Sequence, residues 1–193
     1  MRKTITKNEL NWGHRTFRKV EGRHSIYDLS RGLISKGMAT EGRLLLLAGW
    51  NGAWFSKVGR EFKVDDLTMT MDSCEPIFRG IGNYSLETAP LQSIKLDITK
   101  LYQTLSSQKA IKYTGATKLM SLELPALFVM WDSEIRKEYG VKNTGPDQYL
   151  SFLLLMQNCT KTVNWDPTKN NNTQLAKAID EFNYVRFTLG MCP

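Results

Sequence analysis

The apolar positions of this chain recur at helical spacing for most of its length. Ser25 can cap a helix running to about Met38, because Ile26, Leu29, Leu33 and Ile34 share one face. Thr40 caps a second helix, Glu41–Lys57, with Glu41 in its first turn. Its Leu44–Leu47 run is apolar all round, which argues for burial between other helices. Val64–Asp72 reads as a short helix, and Pro76, Gly80, Gly82 and Pro90 then punctuate a less regular stretch. A helix from Asp97 turns Ile98, Leu101, Tyr102 and Leu105 inward. Residues 108–114 read as a connector. Gly115–Leu124 is a short helix ended by Pro125, and 125–131 an extended or irregular apolar link. Asp132–Tyr139 is helical again and stops at Gly140. Asp147–Cys159 and Thr173–Leu189 complete the set, separated by the polar loop TKTVNWDPTKNNN at 160–172.

The expectation is all-α, about eight to ten helices in a helical array with little or no sheet. Strand patterns do not alternate with helices, so a parallel α/β sheet is not expected. Residues 1–24 are rich in Lys, Arg and His with Trp12 and Phe17 interleaved, and read as a basic N-terminal arm. Residues 25–193 read as one helical domain, or two lobes (25–96 and 97–193) around a central cleft.

Charge changes the picture. The 193 residues carry a formal net charge of +7, which favours polyanions, nucleic acid above all. Cys74, Cys159 and Cys192 lack metal-ligand spacing, and with two histidines in the chain a structural zinc site is not expected. Free thiols fit a reducing cytoplasm. The longest apolar runs, LLLLAGW at 44–50 and FLLLM at 152–156, are too short for a bilayer. No cofactor, metal or membrane partner is expected.

The stretch 114–140, TGATKLMSLELPALFVMWDSEIRKEYG, carries the sharpest chemistry. It places a glycine before a helix, a proline stop, an apolar run, and one acid that opens a charged helix. This order resembles the helix-hairpin-helix DNA glycosylase superfamily. There an LPGVG-type hairpin precedes a K-T-A-type helix, and a P-x-x-x-V-D-T-H-V-x-R-V-x-x-R-L-G segment follows. Pro125 matches the family proline and Asp132 the catalytic aspartate. Ile135 and Arg136 begin the apolar and basic pattern, and Gly140 matches the terminal glycine. Of the hairpin motif only Gly115 is present. Thr117 stands where bifunctional members carry their Schiff-base lysine, with Lys118 one residue along. The resemblance implies hydrolysis of a base–sugar N-glycosidic bond in DNA repair, on DNA or a nucleoside. The alternative is a non-catalytic nucleic-acid-binding helical protein.

The chemistry can be read without the family. Cleaving an N-glycosidic bond builds oxocarbenium character, which a fixed carboxylate such as Asp132 stabilises. Asp is equally among the best helix N-caps, so WDSEIRK is a good helix start with or without catalysis. Lys118 is a candidate amine nucleophile or phosphate contact, or an exposed helix residue. Backbone amides around Gly115 could bind phosphate, and Tyr113 could flank a base. Trp50 and Trp54, four apart on one helical face, are either a core pair or, with Trp131, walls for an extruded base.

Overall fold

A computed structural model describes residues 4–22, 24–58 and 61–193, leaving aside the side chains of His24, Trp54 and Phe55. Among the described residues ten α-helices follow one another: α1 (Lys7–Val20), α2 (His24–Ser35), α3 (Ala39–Trp50), α4 (Gly52–Val58), α5 (Val64–Ile81), α6 (Lys95–Ser107), α7 (Lys112–Glu123), α8 (Ser133–Glu138), α9 (Pro146–Cys159) and α10 (Leu175–Asn183). A 3-10 turn at Pro167–Lys169 and a π turn at Tyr184–Thr188 flank α10. The described residues contain no strand, so the fold is all-α as the pattern predicts.

The helix α10 is the axis of the molecule. All nine of its residues are buried, Lys177, Asp180, Glu181 and Asn183 among them. Leu175, Ile179 and Phe182 form its apolar stripe and lie in the main core. The structure covers the back with α1, which packs along α10. Gly13 makes that approach possible: a Cβ there would lie 2.5 Å from the Phe182 Cα. The segment expected as a basic arm is therefore largely a core helix, with Leu10, Gly13, His14 and Phe17 buried. A capping box at its start explains why it folds: the Thr6 hydroxyl accepts from Glu9 N–H, and the Glu9 carboxylate accepts from Thr6 N–H.

Two other boundaries differ from expectation. The helix expected over 41–57 breaks at Asn51, whose N–H closes α3 on the Leu47 carbonyl before α4 starts at Gly52. Helix α5 runs on through Pro76 to Ile81. Its inward stripe of Leu67, Met71, Cys74, Phe78 and Ile81 holds it, while Pro76 is exposed, so the carbonyl it leaves unpaired faces water.

The segment after α7 behaves as the apolar run requires. Leu127, Phe128, Val129, Met130 and Trp131 are all buried, Met130 with Tyr27, Leu46 and Leu122 and the other four in the main core. Trp131 packs edge-on against Tyr102 and Tyr149, with ring centroids 5.8 and 5.0 Å away. Gly140 stands at φ +67°, where a glycine ends α8 without strain.

Candidate functional site

The sequence points to eight residues, and four of them meet. Trp50, Lys118, Trp131 and Asp132 line one cavity of about 70 Å3, together with Phe17, Glu21, Met130, Ile135, Asp180 and Tyr184. These residues come from the ends of α1 and α3, the middle of α7, the 130–132 link, α8, α10 and the π turn. The cavity thus gathers segments from both halves of the chain.

Asp132 is the N-cap of α8. Its Oδ1 accepts from Ile135 N–H at 2.9 Å, and its Oδ2 accepts from the Thr188 hydroxyl at 2.5 Å. Two donors from different elements fix the plane of the carboxylate. Each oxygen retains a second lone pair, so the group can still meet a ligand. The π turn matters here, because it sets both Thr188 against Asp132 and Tyr184 against Glu21, whose Oε2 accepts from the Tyr184 hydroxyl at 2.6 Å.

Lys118 donates to the backbone carbonyl of Trp50, one of the terminal carbonyls of α3. Thr117, its neighbour, points the other way. Thr117 is fully buried, donates to the Thr114 carbonyl at 3.0 Å and accepts from Trp131 N–H at 3.4 Å. The amine in the cavity is therefore Lys118, and Thr117 ties the 131 link to α7.

Trp50 lines the cavity with one face already covered: it stacks on Tyr27 at 5.6 Å and 20°. Trp131 is 1% exposed and is chiefly a core side chain whose edge reaches the cavity. Trp54 lies in α4, beyond the break at Asn51, and its side chain is outside the described residues.

Tyr113 and Gly115 fall elsewhere. Tyr113 is exposed, sits under the Arg136 guanidinium at 4.9 Å and lines a separate recess with Asn51 and Thr144. Gly115 lies inside α7, not in a hairpin turn. The turn of the α6–α7 hairpin is residues 108–111, one helical turn earlier. A Cβ at 115 would lie 3.1 Å from Ile111 Cγ2 and 3.3 Å from Leu47 Cδ2, so this glycine serves the packing of α3 on α7. The start of α7 is marked instead by Lys112 at φ +55°, an uncommon conformation for a residue with a side chain.

Beneath the cavity runs a buried chain of charges that sequence reasoning missed. Lys177 Nζ is 2.7 Å from Asp180 Oδ2 and 3.6 Å from Glu181 Oε1, and Glu181 Oε2 is 2.6 Å from His14 Nδ1. The Lys177 ammonium also sits within 4.8–5.1 Å of the ring centroids of Phe17, Tyr27 and Trp50. Burial works against this charge, yet Asp180, Glu181 and Tyr27 overcome it and hold the lysine above its ordinary pKa. Burial pushes the Asp180 carboxyl up, and Lys177 offsets only part of that. Burial likewise raises the Tyr27 phenol, against the pull of Lys177. The available signal was the i, i+3, i+4 spacing of Lys177, Asp180 and Glu181, which also describes an ordinary solvated helix face.

Comparison of the chain with family models, curated proteins and solved structures found no match.

What the cavity offers is thus a property of its own residues. It presents three carboxylates (Glu21, Asp132, Asp180), one amine and an aromatic wall. Among the described residues, no group of three His, Cys, Asp or Glu side chains is placed to hold a metal ion. No described helix is long and apolar enough to cross a membrane.

Proposed function

We propose that the protein hydrolyses a base–sugar N-glycosidic bond, with Asp132 as the catalytic carboxylate and the cavity as the seat of the base. One observation carries this reading. The aspartate and lysine singled out in the 114–140 stretch, 14 positions apart, turn their side chains into the same aromatic-walled cavity as Trp50. Asp132, held by Ile135 N–H and Thr188, offers a fixed negative charge to the developing oxocarbenium ion. Lys118 supplies a cation for the departing base or a neighbouring phosphate. At about 70 Å3 the cavity is smaller than the roughly 150 Å3 that accommodates a benzene, so a whole base enters only if the cavity widens.

A second reading, nucleic-acid binding without catalysis, is favoured by a different observation. Both Asp132 oxygens already serve the fold, and the chain carries +7 whatever the cavity does. The two readings separate by mass spectrometry of released bases. The protein is incubated with oligonucleotides containing uracil, 8-oxoguanine or alkylated bases, and with free nucleosides. Hydrolysis predicts a free base from at least one substrate. Binding alone predicts retention of an oligonucleotide with none released.

A further inference from the structure

We infer that the protein has a second site, a phosphate-binding recess between α1 and the loop that follows Pro167–Lys169. It does not rest on the reading given to the cavity.

Lys7, Asn11 and His14 lie at i, i+4 and i+7 on α1, one continuous stripe, and Arg15 is four residues beyond Asn11. All four line a recess of about 420 Å3, whose opposite wall is formed by Lys169 and Asn171. Asn171 and Asn172 stand at φ +53° and +58°, so the chain turns tightly there and closes the recess. The side chains of Lys7, Asn11 and Arg15 make no hydrogen bond or ion pair among the described residues. Lys169 has an ion-pair partner, Asp166, at 3.5 Å, with its side chain 80% exposed and able to swing away.

His14 is the deciding residue. It is 4% exposed, and its Nδ1–H donates to Glu181 Oε2 at 2.6 Å. Its Nε2 is buried and has no hydrogen-bond partner. Buried polar atoms nearly always have one. With Nδ1 turned to Glu181, Nε2 is the ring nitrogen left for a phosphate oxygen entering the recess, and Glu181 holds the ring from behind. Lys7, Arg15 and Lys169 supply the compensating positive charge, and the Asn11 amide a neutral donor. Three cations and a second-nitrogen histidine donor suit a phosphate better than a carboxylate, which would leave donors unused. The source is either a nucleic-acid phosphodiester or a free phosphate group.

The test follows the ring nitrogens of His14 in two-bond proton–nitrogen spectra. The chain has two histidines, so a His24→Gln variant leaves the His14 signal assigned. Inorganic phosphate and an eight-residue thymidine oligonucleotide are titrated separately. A saturable shift of the His14 Nε2 signal is expected. It should weaken about ten-fold in a Lys7→Gln/Arg15→Gln double variant, through the loss of two phosphate contacts. It should be unchanged in Lys95→Gln/Lys142→Gln, which removes equal charge from exposed positions outside the recess. A response to the oligonucleotide, with or without one to inorganic phosphate, supports the site and assigns it a phosphodiester. A response to inorganic phosphate alone supports it and assigns a free phosphate group. No saturable shift with either probe, or equal weakening in the two double variants, overturns the proposal.

Discussion

Both oxygens of the Asp132 carboxylate hold a hydrogen bond, and neither bond depends on the charge, since an amide can accept from Ile135 N–H and donate to the Thr188 hydroxyl. Asparagine caps a helix about as well as aspartate, whereas alanine does not. Asp132→Ala should therefore cost about 1–2 kcal/mol, through the lost cap at Ile135 and the lost Thr188 contact. Asp132→Asn should cost well under 1 kcal/mol. Urea unfolding of the two variants reads the difference, and equal costs would mean that capping is not what fixes this residue. Lys177 is the opposite kind of residue, invisible in the sequence because its spacing with Asp180 and Glu181 is that of any exposed helix. Lys177→Met takes the ammonium away from those two buried carboxylates. A loss of about 3–5 kcal/mol is expected, as for other buried ion pairs broken on one side. A loss below about 1 kcal/mol in the same urea experiment would show that the charges are solvated rather than buried. Asp132 is legible from its place between Pro125 and Gly140, and Lys118 only as the amine one residue past Thr117. Glu21 and Tyr184, at the far ends of the chain, come together only through the packing of α1 on the π turn.

At the level of elements, the crossing of α1 and α10 leaves no room at Gly13. Gly13→Ala places a Cβ 2.5 Å from backbone and 2.7 Å from the Phe182 Cβ, and neither can move as a flexible side chain would. The helix-propensity gain of up to about 1 kcal/mol is outweighed. A net loss of at least about 2 kcal/mol is expected from overpacking, seen as a lower urea midpoint at unchanged slope. Gain of stability would mean that α1 can lift from α10. The helices themselves were largely legible, since their apolar stripes are regular. Two errors have physical causes. Pro76 hides the length of α5 in the sequence, although its apolar stripe continues through Cys74, Phe78 and Ile81. Gly115 has the look of a turn glycine and shifts the expected start of α7 by about one helical turn, but its missing Cβ makes room for Leu47 and Ile111.

For the whole molecule, the all-α class followed from periodicity alone, while the central place of α10 did not. Nine residues carrying a lysine, an aspartate and a glutamate resemble a surface helix until α1 is laid over them. That burial gives the protein an alkaline limit. Lys177 and Tyr27 both keep their protons to higher pH in the fold than in the unfolded chain, where they titrate near pH 10. Their contribution is complete below that pH. Above it the unfolded chain binds fewer protons, so stability falls as pH rises. Urea midpoints should be level from pH 7 to about 9 and decline beyond 10, and a decline of equal size in a Lys177→Met/Tyr27→Phe double variant would place its origin elsewhere.

The most direct measurement of what the cavity does is the single-turnover rate of base release by the parent protein and by Asp132→Asn, on whichever substrate yields a free base. The variant keeps the cap and the shape of the side chain, so its melting temperature serves as the control for folding. Loss of about 100-fold or more in rate at an unchanged melting temperature is predicted if Asp132 stabilises the oxocarbenium ion as proposed, because the substitution removes its charge. Release at the parent rate by Asp132→Asn, or no release by the parent from any of the substrates, would contradict the assignment of Asp132 as the catalytic carboxylate.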